Sequence, residues 1–410
     1  MTWRTRHLVA ACLVVLVVAG CSGGSGSTAP SGANNTRTMT VGANSPGSTR
    51  SSDGATRRAV PLSPPFQHPL PGMPPAAGND VYAATGPGNV QPRIAHEPHY
   101  VYVPNSYGAP ITTVIDARTH KVVRILHTGE LSQHVTPSWD LKTLYVEASA
   151  ANRIVAINPR TGRIEHRYRV TRPYNLYFTP NGKAGIVMAE QDNEILFTNP
   201  HTFKVRTIVS DPSCLGPNHA DFSANGRYFL VTCEFSGSML KVSTLGEKVV
   251  GRLQLGPGSQ PQDVRLSPDG KTFYVADMGR NKLLRIGWRK LKVIGSTAMP
   301  DMPHGIYPSR NGKFLYVSDR GAGEVSVVSL ATNKIVDTWR VPGGGSPDMG
   351  GISADGRILW LSGRYNGQVY GWNTTTGKLV ARIQVGGSPH GLLVWPQPGR
   401  YSLGHTGNMR

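Results

Sequence analysis

From about residue 100 to its C-terminal end, the chain repeats a pattern of short apolar strands and polar turns. One unit is clear in residues 256–286, GPGSQPQDVRLSPDGKTFYVADMGRNKLLRI. A Gly/Pro loop leads into a strand at 263–266, the turn SPDG follows, and TFYVAD forms a strand rich in aromatic and β-branched residues. LLRI and a fourth strand near 291–296 come next. Four strands linked by hairpins in about 40 residues predict one blade of a β-propeller.

Seven copies of this unit align on the residue that precedes or opens the innermost strand. The gaps between these positions are 41, 44, 44, 41, 44 and 42 residues, a regularity that excludes a chance motif. The aligned residues share an ability to bind metal ions or to exchange hydrogen bonds, and they are His134, Asn175, His219, Asp263, His304, Asp348 and His390.

The ends of the repeat region complement each other. The last innermost strand, near His390, has no room behind it for three more strands, whereas HYVYVPN, ITTVIDA and KVVRILH in residues 99–127 lack an innermost partner. Pairing these segments closes the ring and leaves no open sheet edge. The predicted fold class is therefore all-β, a seven-bladed β-propeller of four-stranded antiparallel blades over residues 93–400, followed by a tail at 401–410.

The N-terminal region has the pattern of an export signal. In residues 1–20, basic residues precede an apolar run, and Val18-Ala19-Gly20-Cys21 resembles a bacterial lipobox. We expect lipidation at Cys21 and a lipid-anchored location on the extracytoplasmic face of the cell membrane. An ordinary signal peptide that contains a cysteine, or an uncleaved anchor, is the alternative.

Two segments of different composition separate this signal from the propeller. Residues 21–58 contain almost no large apolar side chain, which predicts a flexible tether. Residues 59–92 form a Pro-rich linker, whose last piece, NDVYAATGPG, is expected to lie against the propeller as a lid or plug. A passive spacer is the alternative.

The formal net charge is +19, with Lys and Arg scattered along the chain rather than clustered. In an exported protein this charge favours anionic envelope polymers or lipid surfaces over nucleic acid, unless the basic surface has no specific partner. The expected partners are the membrane, through the N-terminal lipid, and an envelope protein, a wall polymer or a small anionic ligand. We expect a monomer.

Two cysteines, Cys214 and Cys233, remain for the exported fold, since Cys12 leaves with the signal and Cys21 takes the lipid. A disulfide between them suits the exported compartment. A metal site shared with His219 is the alternative.

In a propeller, the loops leading into the innermost strands and the loops joining the second and third strands open on one face, around the central channel. The seven aligned residues are therefore expected to bind a ligand or a metal ion, or to join neighbouring blades by hydrogen bonds. The candidate cofactors are copper, iron or haem, and zinc.

A second ring of polar residues follows the second strands. We expect these residues either to bind a ligand or to cap turns. They are Asn105, Glu190, Glu234, Asp277 and Asp319. Arg280, Arg320 and Arg364 lie in the same loops and suit an anionic or zwitterionic ligand, unless they are solvated. Residues 93–400 contain no G-x-S-x-G, H-E-x-x-H, phosphate-loop or haem-attachment motif.

With strands such as HYVYVPN, TFYVAD and FLYVSD, preceded by SPDG or PHG, residues 99–396 resemble the YVTN-repeat, YncE-like propeller family. That family resembles the propellers of haem d1 proteins and of nitrous-oxide reductase, which use histidines facing the channel for haem or copper. The resemblance implies such a role for His134, His219, His304 and His390.

Two functional hypotheses follow. The first is a non-catalytic module of the cell envelope that binds a ligand or another protein. The second is a metal- or haem-binding enzyme, redox-related or a lyase or hydrolase resembling streptogramin lyase, with His219, His304 or His390 as general base.

Overall fold

A computed structural model of the chain describes residues 61–410, and within them 28 β-strands form seven four-stranded antiparallel sheets. Each sheet is one blade of a β-propeller, so the predicted fold class is confirmed. The predicted signal peptide, Cys21 and the tether lie outside the described residues.

The strands of each blade follow one another in the chain, except that blade 1 takes its innermost strand from the C-terminal end. Blade 1 contains β1 (Tyr100–Pro104), β2 (Ile111–Asp116), β3 (Val122–His127) and β28 (Leu393–Trp395). Blade 2 contains β4 (Ser132–Pro137), β5 (Leu144–Ala148), β6 (Arg153–Asn158) and β7 (Arg163–Arg169). Blade 3 contains β8 (Asn175–Phe178), β9 (Gly185–Ala189), β10 (Glu194–Thr198) and β11 (Val205–Ser210). Blade 4 contains β12 (Pro217–Phe222), β13 (Tyr228–Cys233), β14 (Ser238–Ser243) and β15 (Lys248–Gln254).

Blade 5 contains β16 (Pro261–Leu266), β17 (Thr272–Asp277), β18 (Lys282–Gly287) and β19 (Val293–Ala298). Blade 6 contains β20 (Pro303–Pro308), β21 (Phe314–Asp319), β22 (Glu324–Ser329) and β23 (Ile335–Arg340). Blade 7 contains β24 (Pro347–Ile352), β25 (Ile358–Gly363), β26 (Gln368–Asn373) and β27 (Leu379–Gln384). Six short 3₁₀ helices lie at Pro64–Phe66, Ala83–Thr85, Glu190–Asp192, Glu234–Ser236, Met278–Arg280 and His405–Gly407.

The core lies between neighbouring blades rather than inside any one of them. Strand β17 is buried along nearly its whole length, whereas the outermost strand β19 alternates between exposed and half-buried residues. Leu266 and Val275 of blade 5 pack in one apolar cluster with Leu230 and Met239 of blade 4. A single sheet would leave these side chains in water, so the closed ring is what buries them.

Each innermost strand of blades 2, 4, 5, 6 and 7 carries a β-bulge where it meets the channel. In blade 4, Pro217 pairs with Cys233 and Ala220 pairs with Val231, so Asn218 and His219 together face one residue of β13. A bulge of this kind bends the strand and changes the direction of its side chains. Two successive residues per blade therefore reach the channel.

Residues 61–97 pack at the other end of the channel, against the turns that join first and second strands. The Val81 amide donates to the Pro268 carbonyl at 2.9 Å, and the Tyr82 hydroxyl donates to the Leu266 carbonyl at 2.9 Å. The Leu70 amide bonds the Asn225 carbonyl at 2.7 Å. The contacts thus extend beyond NDVYAATGPG, to the part of the segment for which a spacer was the alternative.

The C-terminal tail, residues 401–410, enters the same end of the channel. All of its residues except Gly407 are buried. The Phe178 amide donates to the Leu403 carbonyl at 3.0 Å, and Arg410 Nη2 donates to Asp221 Oδ1 at 2.7 Å. The tail therefore fills the channel from this end.

The sulfur atoms of Cys214 and Cys233 are bonded, and their Cα atoms lie 5.1 Å apart. The bond ties the loop that leads into blade 4 to the end of β13. Among residues 61–410, no helix has the length and apolar character needed to cross a membrane.

Candidate functional site

The bulges arrange the predicted channel residues in two layers instead of one ring. His219 is the second of the two bulge residues in blade 4, whereas His304 is the first in blade 6 and Gly305 the second. The lower layer, nearer the tail, contains His134, Asn175, His219, Asp263, Gly305, Met349 and Gly391. The upper layer contains Gln133, Tyr174, Asn218, Gln262, His304, Asp348 and His390. The single-ring alignment was therefore wrong by one residue at His304, Asp348 and His390.

Proline is the sequence signal that gives the correct register. In six of the seven blades a proline comes directly before the upper-layer residue, at positions 173, 217, 261, 303, 347 and 389. Proline suits this position because it is tolerated at the first residue of a strand. Aligning the repeats on this proline, rather than on the polar residue, predicts which residues belong to the upper layer and which belong to the lower layer.

The tail adds a histidine that sequence reasoning missed. The ring centroid of His405 lies 5.2 Å from that of His134 and 4.8 Å from that of His219, and the His134 and His219 centroids are 5.4 Å apart. One nitrogen from each of these three rings lies within 4.8 Å of the other two. We call His134, His219 and His405 the lower histidine cluster.

The lower histidine cluster holds unpaired nitrogens. Among residues 61–410, neither ring nitrogen of His134 or of His219 has a hydrogen-bond partner, and Nε2 of His405 has none either. Asn175 Nδ2 donates to His405 Nδ1 at 2.9 Å, while Asp263 Oδ1 lies 3.4 Å from His405 Nε2. Buried polar atoms are nearly always paired in proteins, so this group of free imidazole nitrogens calls for a partner.

The environment keeps these imidazoles neutral. Burial, followed by the neighbouring imidazoles, lowers the pKa of His134 well below its usual range. Burial likewise lowers the pKa of His219 well below that range and lowers the pKa of His405. Neutral imidazole is the form that coordinates metal ions.

The upper layer centres on Asp348. His390 Nδ1 lies 2.7 Å from Asp348 Oδ2, and His304 Nδ1 lies 3.2 Å from Oδ1. Arg320 Nη1 is 3.2 Å from Oδ1, and Arg364 Nη1 is 3.6 Å from Oδ2. Burial by itself would raise the pKa of the Asp348 carboxyl, but the two histidines and then Arg320 hold it well below its usual range. Nδ1 of each upper histidine thus faces the Asp348 carboxylate, whereas both ring nitrogens of His134 and of His219 are unpaired among residues 61–410.

Tyr174 links the two layers. Its hydroxyl lies 3.2 Å from His390 Nε2, and its ring packs edge-on against His134 with centroids 5.1 Å apart. Burial, and after it the negative charge of Glu190, raises the pKa of the Tyr174 hydroxyl well above its usual value. The phenol therefore stays protonated beside the imidazoles at neutral pH.

Several predicted second-ring residues serve the packing of their own blades. Asp277 accepts hydrogen bonds from Ser259 Oγ at 2.9 Å and from Arg280 Nε at 2.7 Å. Asp319 Oδ2 accepts from Ser326 Oγ at 2.7 Å. These residues hold loops and strands together.

Two other second-ring residues, Asn105 and Glu234, bond residues at the entry to innermost strands, and a third, Glu190, interacts with Glu234. Asn105 Oδ1 accepts from the Ser388 amide at 2.7 Å. Glu234 Oε2 accepts from Asn218 Nδ2 at 2.9 Å. Burial and then Glu234 raise the pKa of Glu190 to about 8, so Glu190 is largely protonated at neutral pH.

The packing of the histidines decides which cofactor fits among them. Centroids of neighbouring imidazoles in the two layers lie between 4.7 and 6.2 Å apart. A haem macrocycle is about 10 Å wide, and it does not fit between rings packed at this distance. The donor set of the lower histidine cluster fits a single ion.

Comparisons with known proteins agree with the fold. Residues 304–399 match the family model described as YncE-like β-propeller. The protein YncE of Salmonella typhi is 24% identical over 264 residues, which cover 60% of this chain and 73% of that protein. The chain is a seven-bladed β-propeller that resembles the YncE-like family.

Other proteins share the architecture of this propeller. A 6-phosphogluconolactonase of Serratia proteamaculans is 23% identical over 297 residues, covering 64% of this chain and 87% of that protein. The structure of the dihydro-haem d1 dehydrogenase NirN in complex with DHE superposes with a TM-score of 0.56 at 12% identity, over 79% of this chain and 82% of that chain. Identities this low show a common fold alone.

Proposed function

We propose that this YncE-like propeller binds one transition-metal ion in the lower layer of its channel, through His134, His219 and His405. The observation that carries the proposal is the convergence of three buried imidazoles whose nitrogens are unpaired and within 4.8 Å of one another. Imidazole donors suit zinc, copper, iron and nickel.

The cluster needs only a small contraction to hold an ion. Metal–nitrogen bonds of about 2.0–2.1 Å place tetrahedral ligand nitrogens roughly 3.3–3.5 Å apart. Nitrogens now within 4.8 Å of each other reach that spacing when the side chains shift by about 1 Å or less each. A bound ion of this kind would supply a Lewis acid or, in the case of copper or iron, an electron carrier.

Asp263 and Asn175 complete the surroundings of His405. The Asp263 carboxylate, 3.4 Å from His405 Nε2, adds negative charge beside the proposed ion. With a metal ion on Nε2, the proton of the neutral ring resides on Nδ1, so the Asn175 amide must turn its oxygen toward the ring. Hydrogen bonds of this kind orient histidine ligands in metal sites.

Metal analysis of the purified protein tests the proposal. After chelation and dialysis, we expect one cobalt(II), copper(II) or zinc(II) ion to rebind per chain, with cobalt(II) giving the visible bands of nitrogen coordination. His134→Gln, His219→Gln and His405→Gln should each weaken binding by at least about 10-fold, as the loss of one ligand does.

His166→Gln is the matched control, because His166 is exposed on strand β7. It should bind the ion as the unchanged protein does. Circular dichroism and thermal unfolding establish that each variant is folded. If the unchanged protein binds no ion, or folded His134→Gln, His219→Gln and His405→Gln proteins bind it like the His166→Gln control, the proposal is wrong.

A second candidate function is a binding module of the cell envelope, anchored through a lipid on Cys21. Three aromatic side chains on the loop face, Tyr107, Phe235 and Tyr365, are 59–63% exposed, and this observation favours it. The amides of Phe235 and Tyr365 bond the loops that lead into innermost strands, which places both rings beside the channel mouth. Exposed aromatic side chains are typical contact residues of binding surfaces.

Cross-linking in intact cells tests this candidate. A photo-reactive residue at position 107 or 365 should capture a partner that the same residue at exposed position 166 does not. Membrane fractionation with Cys21→Ser tests the anchor, because loss of the lipid should release the protein from the membrane fraction. Capture of the same partner from position 166 as from positions 107 and 365 would contradict the binding surface. An unchanged distribution of the Cys21→Ser protein between membrane and soluble fractions would contradict the lipid anchor.

A further inference from the structure

A cavity of about 50 Å³ lies beside the tail, at the end of the channel remote from the loop face. Its walls include Arg265, Arg310, Tyr82, the backbone of Gly350–Gly351 and residues 406–409. An ordered water needs a cavity of about 10–15 Å³, so this space suits several waters or one small polyatomic ion.

Arg265 brings an unsatisfied guanidinium group to this cavity. The side chain is 4% exposed, its Nε donates to the Ile306 carbonyl at 3.0 Å, and its Nη1 has no hydrogen-bond partner in the part of the chain that the structure describes. Asp263 Oδ2 lies 3.6 Å from Nε. A buried charged donor without an acceptor is costly, so an acceptor is expected in the adjoining space.

Arg310 adds a second positive charge whose hydrogen bonds go to neutral oxygens. Its Nη2 donates to the Ile352 carbonyl at 2.7 Å and to Gln397 Oε1, and its Nε donates to the Ser353 carbonyl at 3.3 Å. Burial lowers the pKa of Arg310 to about 10, with Asp355 opposing the effect. Arg310 is half-buried, and among residues 61–410 no carboxylate is in direct contact with its guanidinium group.

The nearby carboxylate of Asp221 is already used. It accepts Arg410 Nη2 at 2.7 Å, Asn408 Nδ2 at 2.9 Å and the Leu266 amide at 2.7 Å. Its oxygens are therefore already occupied by donors from the tail and from β16.

We propose that this cavity binds a small oxyanion between Arg265 and Arg310. Guanidinium groups present planar forks of donors that match carboxylate and phosphate oxygens, and burial strengthens such bonds. The size of the cavity limits the ligand to a single carboxylate-sized or phosphate-sized group. This site is separate from the lower histidine cluster and does not depend on a bound metal ion.

Calorimetric titration of the purified protein with inorganic phosphate and, separately, with acetate tests the proposal at constant ionic strength. Binding of phosphate alone indicates a tetrahedral anion, and binding of acetate alone indicates a carboxylate. Arg310→Gln should weaken binding at least about 10-fold, because a hydrogen bond to a charged group is lost. Arg357→Gln, which removes an equal charge from a side chain 80% exposed, should change affinity less than about two-fold.

Crystals of the unchanged protein soaked in selenate give a readout that needs no variant. An anomalous peak within hydrogen-bond distance of both Arg265 and Arg310 supports the proposal. No peak in the cavity together with no heat of binding overturns it, and so does an Arg310→Gln protein that is folded and binds as tightly as the Arg357→Gln control.

Discussion

Gly391 packs so closely against His134 that a Cβ atom at position 391 would lie 2.0 Å from His134 Nδ1. The two residues are held together by their backbones, since the Gly391 amide donates to the Gln133 carbonyl at 2.8 Å and the Val135 amide donates to the Gly391 carbonyl at 3.0 Å. The space for the His134 ring therefore depends on the missing side chain at the neighbouring position.

Gly391→Ala should displace His134 and weaken metal binding by at least about 10-fold, because one ligand loses its place. Stability should also fall by about 1–3 kcal/mol, as in other overpacked cores. Gly351→Ala is the control, since a Cβ there meets its nearest neighbours at 3.7 Å. Titration with cobalt(II) measures the metal affinity, and urea unfolding measures the stability. Equal affinity and equal stability of the Gly391→Ala and Gly351→Ala proteins would show that His134 does not need the missing side chain at position 391.

Asp319 predicts a pH dependence of stability. Burial raises the pKa of this carboxyl to about 8, against about 4 in the unfolded chain. Its contribution is therefore fully present below about pH 4 and is lost as the pH rises toward 8, because only the unfolded chain ionises readily.

Asp319→Asn should remove this loss, so the variant gains stability over the unchanged protein between pH 5 and pH 8, on the order of a few kcal/mol. Urea unfolding at both pH values measures the difference. The control is Asp355→Asn, because the pKa of Asp355 is lowered in the fold. A difference between the Asp319→Asn and unchanged proteins that stays constant with pH would rule out the protonated, buried carboxyl.

Arg410 anchors the tail through Asp221, so Arg410→Met should lower stability by about 3 kcal/mol and expose the tail to proteases. Arg400→Met, at an exposed position near the same segment, should have little effect. Adding Asp221→Asn to Arg410→Met should recover part of the loss, which a double-mutant cycle measures. If both single variants at 400 and 410 unfold alike, the ion pair does not hold the tail.

The bond between Cys214 and Cys233 closes a loop of 19 residues. Its removal by Cys214→Ala/Cys233→Ala should cost about 3 kcal/mol of stability, through the greater freedom of the unfolded chain. Denaturant unfolding of both proteins under oxidising conditions tests this value, while metal affinity should stay unchanged because neither sulfur belongs to the lower histidine cluster. Identical unfolding curves would show that the crosslink contributes nothing.

The propeller could be predicted from the sequence because its information is local and repeated. Strands such as TFYVAD alternate with turns such as SPDG at nearly constant spacing, and the unpaired segments at the two ends of the repeat region fit only one closure. The pairing of β28 with β1 follows from counting strands.

The channel could be predicted less completely. His134 and His219 were found because they recur at one position of the repeat, whereas His304 and His390 occupy the position one residue earlier and lie in the other layer. His405 lies outside the repeat, so no periodicity marks it, and only the path of the tail brings it to the cluster. Tyr174 was missed because the alignment selected the residue after it.

Ring closure also sets an order of events. Tyr100 pairs with Trp395, about 295 positions away, so joining them costs roughly 5 kcal/mol of chain entropy that no local hairpin requires. Gly391, which makes room for His134, and His405 lie on either side of the closing strand. An open ring thus has no assembled cluster, so the proposed metal ion would not guide early folding. It would enter a closed propeller, as a late step of maturation whose rate reports on the opening of the propeller rather than on its synthesis.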